Sequence, residues 1–178
     1  MYPKTAIVYH KSRAEIALDI LIKKLNDLYN SAKGHNISIK YKYIQDPLCD
    51  EKCRRIAWQI LLYLFDEYRF GNTIVLPKRV VESLFGNDPK PIIRLKIIDL
   101  IFGQTKLQTP KNIQRLSATE REILKYIAKY AIITTVDLAE KMNLPTETIR
   151  YYVRSLSKKK IVQLKEIRSV VLIRTIEI

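Results

Sequence analysis

The stretch from residue 117 to residue 178, SATEREILKYIAKYAIITTVDLAEKMNLPTETIRYYVRSLSKKKIVQLKEIRSVVLIRTIEI, decides the fold of this chain. Ser117 or Thr119 caps a helix whose positive first turn holds Glu120 and Glu122. Ile123, Ile127 and Tyr130 form its inner stripe. The β-branched IITT reads as a short strand, VDLAEKM as a second helix, NLPT as a turn and ETIRYYVRSLSKKK as a third helix. Two apolar runs, IVQLKEI and VVLIRTIEI, flank Arg168 and Ser169, where a tight hairpin turn belongs. The order is helix, short strand, helix, turn, helix, hairpin.

Along the third helix Ile149, Val153 and Leu156 recur at i, i+4, i+7 spacing and face inward, so Thr146, Glu147, Arg150, Tyr151 and Arg154 point outward or flank the seam. Lys158, Lys159 and Lys160 end this helix, where cations complement its negative pole. In spacing and apolar positions the stretch resembles the winged helix-turn-helix family of transcription regulators, over about a third of the chain. The resemblance gives Ala139 the place of the small residue that lets the third helix pack closely, with Leu138, Met142 and Leu144 as core.

It further implies that helix 146–158 enters the major groove of double-stranded DNA, where Arg bonds two acceptors on guanine and Glu accepts from cytosine. The implied DNA-binding residues are Thr146, Glu147, Thr148, Arg150, Tyr151, Arg154, Lys158, Lys159 and Lys160, with Lys165 and Arg168 from the wing. Arg174 is a further basic residue of the hairpin. A winged helix can also serve protein contacts, but here the outward residues are basic.

Upstream, Thr5–Tyr9 is a short apolar run, and Ala14, Ala17, Leu18, Leu21, Ile22, Leu25, Leu28 and Tyr29 space as a helix that ends near Gly34. Residues Ile37 to Ile44 alternate as a half-exposed strand with a basic outer face. A helix follows whose apolar residues from Ile56 to Phe65 cover nearly its whole circumference, which suits a core position and also a subunit interface. NTIVL reads as a strand, Pro77 opens the helix KRVVESLFG, and IIRLKIIDLIFG is a further helix. Within residues 54–103 this order also admits a second helix-turn-helix. Periodicity is lost in QTKLQTPKNIQRL, which marks a joint. The expected class is α+β: a small α/β domain over 1–103, a linker over 104–116 and a winged helix-turn-helix over 117–178.

Lys and Arg number 32 against 18 Asp and Glu, a net charge of +14 that attracts polyanions. Both parts contribute, with 20 basic and 11 acidic residues before Ser117 and 12 and 7 from it onward. No run of about 18 apolar residues suits a bilayer, and MYPKTAIVYH lacks the apolar centre of a signal peptide, so a cytoplasmic protein is expected.

Cys49 and Cys53 are spaced C-x3-C, and with two histidines in the chain, His10 and His35, a four-ligand zinc site is hard to assemble. They read as two small thiols of one helix turn or as a reversible disulfide. Phosphate-cradling glycine loops are missing. Asp46, Asp50 and Glu51 lie before a helix and Asp66 and Glu67 after it, which suits capping better than a metal-dependent nuclease, and His10 with Ser12 completes no nucleophile set.

The expectation is therefore a non-enzymatic, sequence-specific DNA-binding regulator with no cofactor and no metal. It acts as a homodimer, with a small-molecule or protein effector received by the N-terminal domain. The competing expectation is a replication, plasmid or viral accessory factor that binds DNA with little sequence preference.

Overall fold

The computed structural model describes residues 11–32, 34, 36–103 and 116–176. The chain divides into two compact units, Ile16–Gly103 and a second that joins Gln104–Ile178 to the residues up to Glu15. The Thr5–Tyr9 run, His10, His35 and most of the expected linker lie outside the described residues. No helix among those described is long and apolar enough to cross a membrane.

Helix α1 (Arg13–Ser31), which belongs to the first unit from Ile16 onward, buries Ala14, Ala17, Leu18, Leu21, Ile22 and Leu25 of the stripe its spacing predicts, and Leu28 and Tyr29 at its end are half-buried. Strand β1 (Asn36–Lys40) buries Ile37 and Ile39 and exposes Asn36, Ser38 and Lys40. The alternation predicts a strand to Ile44, but β1 stops at Lys40 and Tyr41–Tyr43 form a 3-10 turn. The physical reason lies in its partner. Lys40 pairs with Thr73, the first residue of β3 (Thr73–Pro77), and the chain before it turns away into β2 (Arg69–Phe70). The next residues of β1 therefore have no ladder to join. The sheet is antiparallel, in the order β1, β3, β2.

Helix α2 (Glu51–Leu64) is capped by Asp50, whose carboxylate accepts from the Cys53 N–H at 2.8 Å, and Cys49 is disulfide-bonded to Cys53 across this first turn. Its residues Ile56, Ala57, Ile60, Leu61 and Leu62, with Phe65 after it, are buried in the core, while Trp58 and Leu64 are half-buried and Tyr63 is exposed. Asp50 is thus a cap, and Asp46 accepts from the Leu48 N–H and pairs with Lys23. Among the described residues no three His, Cys, Asp or Glu side chains come together as a metal-binding group. Helices α3 (Lys78–Phe85, N-capped by Pro77) and α4 (Lys90–Phe102) complete the unit. Arg94 on α4 donates through Nε to Asp19 on α1 at 2.9 Å.

The second unit contains α5 (Ala118–Ile127), β4 (Ile133–Thr134), α6 (Thr135–Met142), α7 (Thr146–Lys158), β5 (Val162–Ile167) and β6 (Val170–Thr175). Ser117 caps α5 by accepting from the Glu120 N–H at 3.1 Å, and Thr134 caps α6 through the Asp137 N–H at 3.1 Å. Strands order as β4, β6, β5, antiparallel throughout, with Ile167 opposite Val170 across the Arg168-Ser169 turn. Helices and sheet close on one core that includes Ile123, Ile127, Leu138, Ile149, Val153 and Ile173, with Met142 and Leu144 at its rim.

Residues Ser12–Glu15 differ from the expected 1–103 grouping, because they are bonded into this second unit. The Ser12 hydroxyl donates to the Ile132 carbonyl, and the Arg13 N–H donates to Asp137 Oδ2 at 2.9 Å. The Arg13 guanidinium reaches Asp137 and Glu140 as well. Leu116, expected to end the linker, is buried in the same core.

Candidate nucleic-acid interface

The turn between α6 and α7 sets the aim of α7. Asn143 takes the left-handed conformation at φ 54°, a region its short polar side chain tolerates, and the Leu144 N–H closes back on the Ala139 carbonyl at 3.0 Å. Ala139 is buried, and its small side chain permits the close approach of the two helices. Pro145 then fixes the start of α7. Ile149, Val153 and Leu156 are buried, as their spacing predicts.

The opposite side of α7 is the exposed one. Glu147, Tyr151, Arg154 and Lys158 follow one another at i, i+4, i+7 and i+11 on a single outward stripe, flanked by the half-exposed Thr148 and Arg150. Tyr151 is 70% exposed and meets Tyr152 edge-on at 5.2 Å between ring centroids. Arg150 Nη1 lies 2.9 Å from Glu147 Oε1, an i, i+3 pair that holds the guanidinium toward the helix start. Thr146, Glu147 and Thr148 form the first turn, where the N–H groups of a helix have no intrahelical acceptor and suit a phosphate.

The three lysines that end α7 part company. Lys158 and Lys160 are exposed, whereas Lys159 Nζ sits 2.8 Å from Glu120 Oε2 and joins α7 to the start of α5. Lys159 is therefore engaged inside the unit, against its expected place among the phosphate contacts. The available signal was phase: it follows Leu156 by three residues and so turns inward. Lys160 terminates the helix at φ 61°, with the Ile161 N–H bonded to the Leu156 carbonyl at 3.1 Å.

On the wing, Arg168 is exposed at the hairpin tip with φ 53°, and Lys165 is half-buried on β5. Arg174 Nε donates to Gln163 Oε1 at 2.6 Å across the strands, which keeps that guanidinium on the sheet. The sequence pattern does not reveal Asp137. Buried, it accepts from Arg13 and pairs with Lys141, and its charge together with burial holds the neighbouring Tyr130 hydroxyl above its ordinary pKa, burial being the larger cause.

Residues 116–163 match the family model of winged helix-turn-helix DNA-binding domains. That segment spans α5 to the start of β5, and the β5–β6 hairpin supplies the wing beyond it. No curated protein and no solved structure matches the chain. Residues 116–163 thus form a winged helix-turn-helix of the DNA-binding type, which supports double-stranded DNA as a partner.

Proposed function

We propose that this protein is a sequence-specific transcription regulator that reads the major groove with α7, binds as a homodimer, acts in the cytoplasm and performs no catalysis. The observation that carries the reading is the outward stripe of Glu147, Tyr151, Arg154 and Lys158 with Arg150 beside it. It combines groups that discriminate bases with groups that meet phosphate. Lys160 and Arg168 extend the basic surface toward the flanking backbone. A half-open cleft of about 270 Å³ in the N-terminal unit, lined by Asn26, Tyr29, Val81, Glu82 and Phe85, supports a place there for a small effector.

Selection from a random duplex library, followed by sequencing of the bound fraction, tests the reading. A regulator of this type enriches a motif with two related half-sites about one helical turn apart. Binding without enrichment, accompanied by a steep salt dependence, contradicts sequence specificity and favours an accessory factor.

A further inference from the structure

The N-terminal unit repeats the plan of the winged helix-turn-helix. In the second unit α5 leads to β4, then to α6, α7 and the β5–β6 hairpin, and the strands order as β4, β6, β5. In the first, α1 leads to β1, then to α2 and the β2–β3 hairpin, and the strands order as β1, β3, β2, again antiparallel throughout. Both hairpins turn through two residues, between Phe70 and Thr73 and between Ile167 and Val170, and the first of the two is left-handed, Gly71 at φ 61° and Arg168 at φ 53°. Helix α2 thus stands where α7 stands, and the two agree in detail. Cys53, Ala57 and Ile60 are buried on α2 at the i, i+4, i+7 spacing of Ile149, Val153 and Leu156 on α7. Two residues before the first of these comes a glutamate, paired with the arginine three residues on: Glu51 with Arg54 Nη1 at 3.6 Å, and Glu147 with Arg150 Nη1 at 2.9 Å.

One element is exchanged. In the place of α6 the first unit has the 3-10 turn Tyr41–Tyr43 and a loop that the Cys49–Cys53 disulfide ties to α2. The turn braces α2 as a helix would: Tyr41 meets Trp58 edge-on at 5.8 Å between ring centroids, and Arg54 lies over the Tyr41 ring at 4.2 Å and donates to its carbonyl at 3.2 Å. The outward side of α2 carries Lys52 and Arg55, both exposed, and the half-buried Gln59, at i, i+3 and i+7. Lys42 is exposed on the turn before the helix and Arg69 beside the hairpin turn. The acids at the start of α2 are Asp50, its cap, and Glu51, which Tyr41, Arg54 and Arg55 hold, while Asp66 and Glu67 lie past its far end. The Arg55–Glu51 pair, with side chains 71% and 55% exposed, is of the weak exposed kind and yields to a phosphate. The unit is therefore basic on the helix face and hairpin with which a winged helix approaches DNA.

We infer that the N-terminal unit is a second winged helix, and that Lys52 and Arg55 of α2, with Lys42, make a second contact to duplex DNA through its phosphates. The inference rests on the DNA-binding reading above and adds to it a surface that α7 does not supply. Two linked modules on one chain raise each other's effective concentration at the duplex, so the second contact strengthens binding without choosing a sequence.

Anisotropy titrations of the full chain against random-sequence duplex DNA over a series of salt concentrations test it, with circular dichroism to verify the fold of each variant. For Lys52→Ala/Arg55→Ala the slope of the logarithm of affinity against that of salt is expected to become shallower by about two, and for Lys42→Ala by about one, to the same degree on unrelated sequences. Trp58, the one tryptophan of the chain, lies on α2 against Tyr41, so its emission locates the contact and is expected to change as duplex saturates the unaltered protein. Slopes unchanged in both folded variants, or Trp58 emission that ignores saturating duplex, overturn the inference. Arg154→Ala, titrated alongside, keeps the two failures apart. If it alone binds more weakly, α7 meets DNA and α2 does not; if the unaltered protein binds no duplex, the DNA reading falls and this inference falls with it.

Discussion

Replacing Lys159 with alanine separates two roles that a run of three lysines makes look alike. In the folded unit the Lys159 side chain is 27% exposed and the Glu120 carboxylate 10%, and the two lie 2.8 Å apart. An exposed pair of this kind contributes about 0–1 kcal/mol, while removing one partner of a fully buried pair costs about 3–5 kcal/mol. The exposures place this pair between the two, and Glu120 keeps the Ser117 cap and the positive end of α5 as neighbours. Lys159→Ala is therefore expected to cost about 1–2 kcal/mol, or roughly 5–12 °C in the melting of a unit this small. DNA affinity below the melting temperature, and the slope of its logarithm against salt, should stay nearly unchanged. Lys158→Ala should do the reverse, with little change in melting and a salt slope shallower by about one. Calorimetry and salt-dependent anisotropy on the two variants supply the comparison. A Lys159→Ala protein that melts like the unaltered one and loses as much salt slope as Lys158→Ala would refute the assignment.

Three further outcomes follow from the same geometry. Lys160 terminates α7 in the left-handed region, so Lys160→Gly should raise stability by about 1 kcal/mol while it removes one phosphate contact, which melting and the salt slope read separately. Leu138→Ala empties a fully buried position of the C-terminal core and should lower stability by about 2–5 kcal/mol in denaturant titration. In the N-terminal unit, the hydrogen bond from Tyr41 Oη at 2.6 Å, helped by Arg54 and Arg55, holds the Glu51 carboxyl below its ordinary value of 4.5. A depressed carboxylate stabilises the fold above its ordinary value and loses that contribution as pH falls through the depressed one. The difference in melting temperature between the unaltered protein and Glu51→Gln should thus be fully present at neutral pH, shrink as pH falls below 4.5 and vanish once pH is below the depressed value; a difference that grows in acid would contradict the pairing.

Helix α7 was legible in the sequence because one local period, Ile149, Val153 and Leu156, settles both its buried and its exposed face. The same period carried α1 and placed α2 in the core. Tertiary partners are what a local pattern cannot carry. The strand after Ile37 keeps its alternation to Tyr43, yet pairing ends where β3 begins, a limit set more than thirty residues away in the chain. Arg13 reads as a polar residue on the outside of a helix, and its bonds to Asp137 lie 124 residues off. Ser12 accepts from the Glu15 N–H at 3.1 Å at the start of α1, and nothing in that local pair foretells its bond to Ile132. C-x3-C spacing alone left the pairing of Cys49 and Cys53 open, and in the fold the two are bonded beside the Asp50 cap at the first turn of α2.

The central claim is that α7 carries the DNA contact, and fluorescence anisotropy of the unaltered protein and of Arg150→Ala and Arg154→Ala against duplex DNA tests it most directly. Each arginine is expected to contribute about 1–3 kcal/mol, so each variant should bind about tenfold or more weakly while circular dichroism shows the fold intact. Unchanged affinity in both folded variants would contradict the account and remove α7 from the DNA interface.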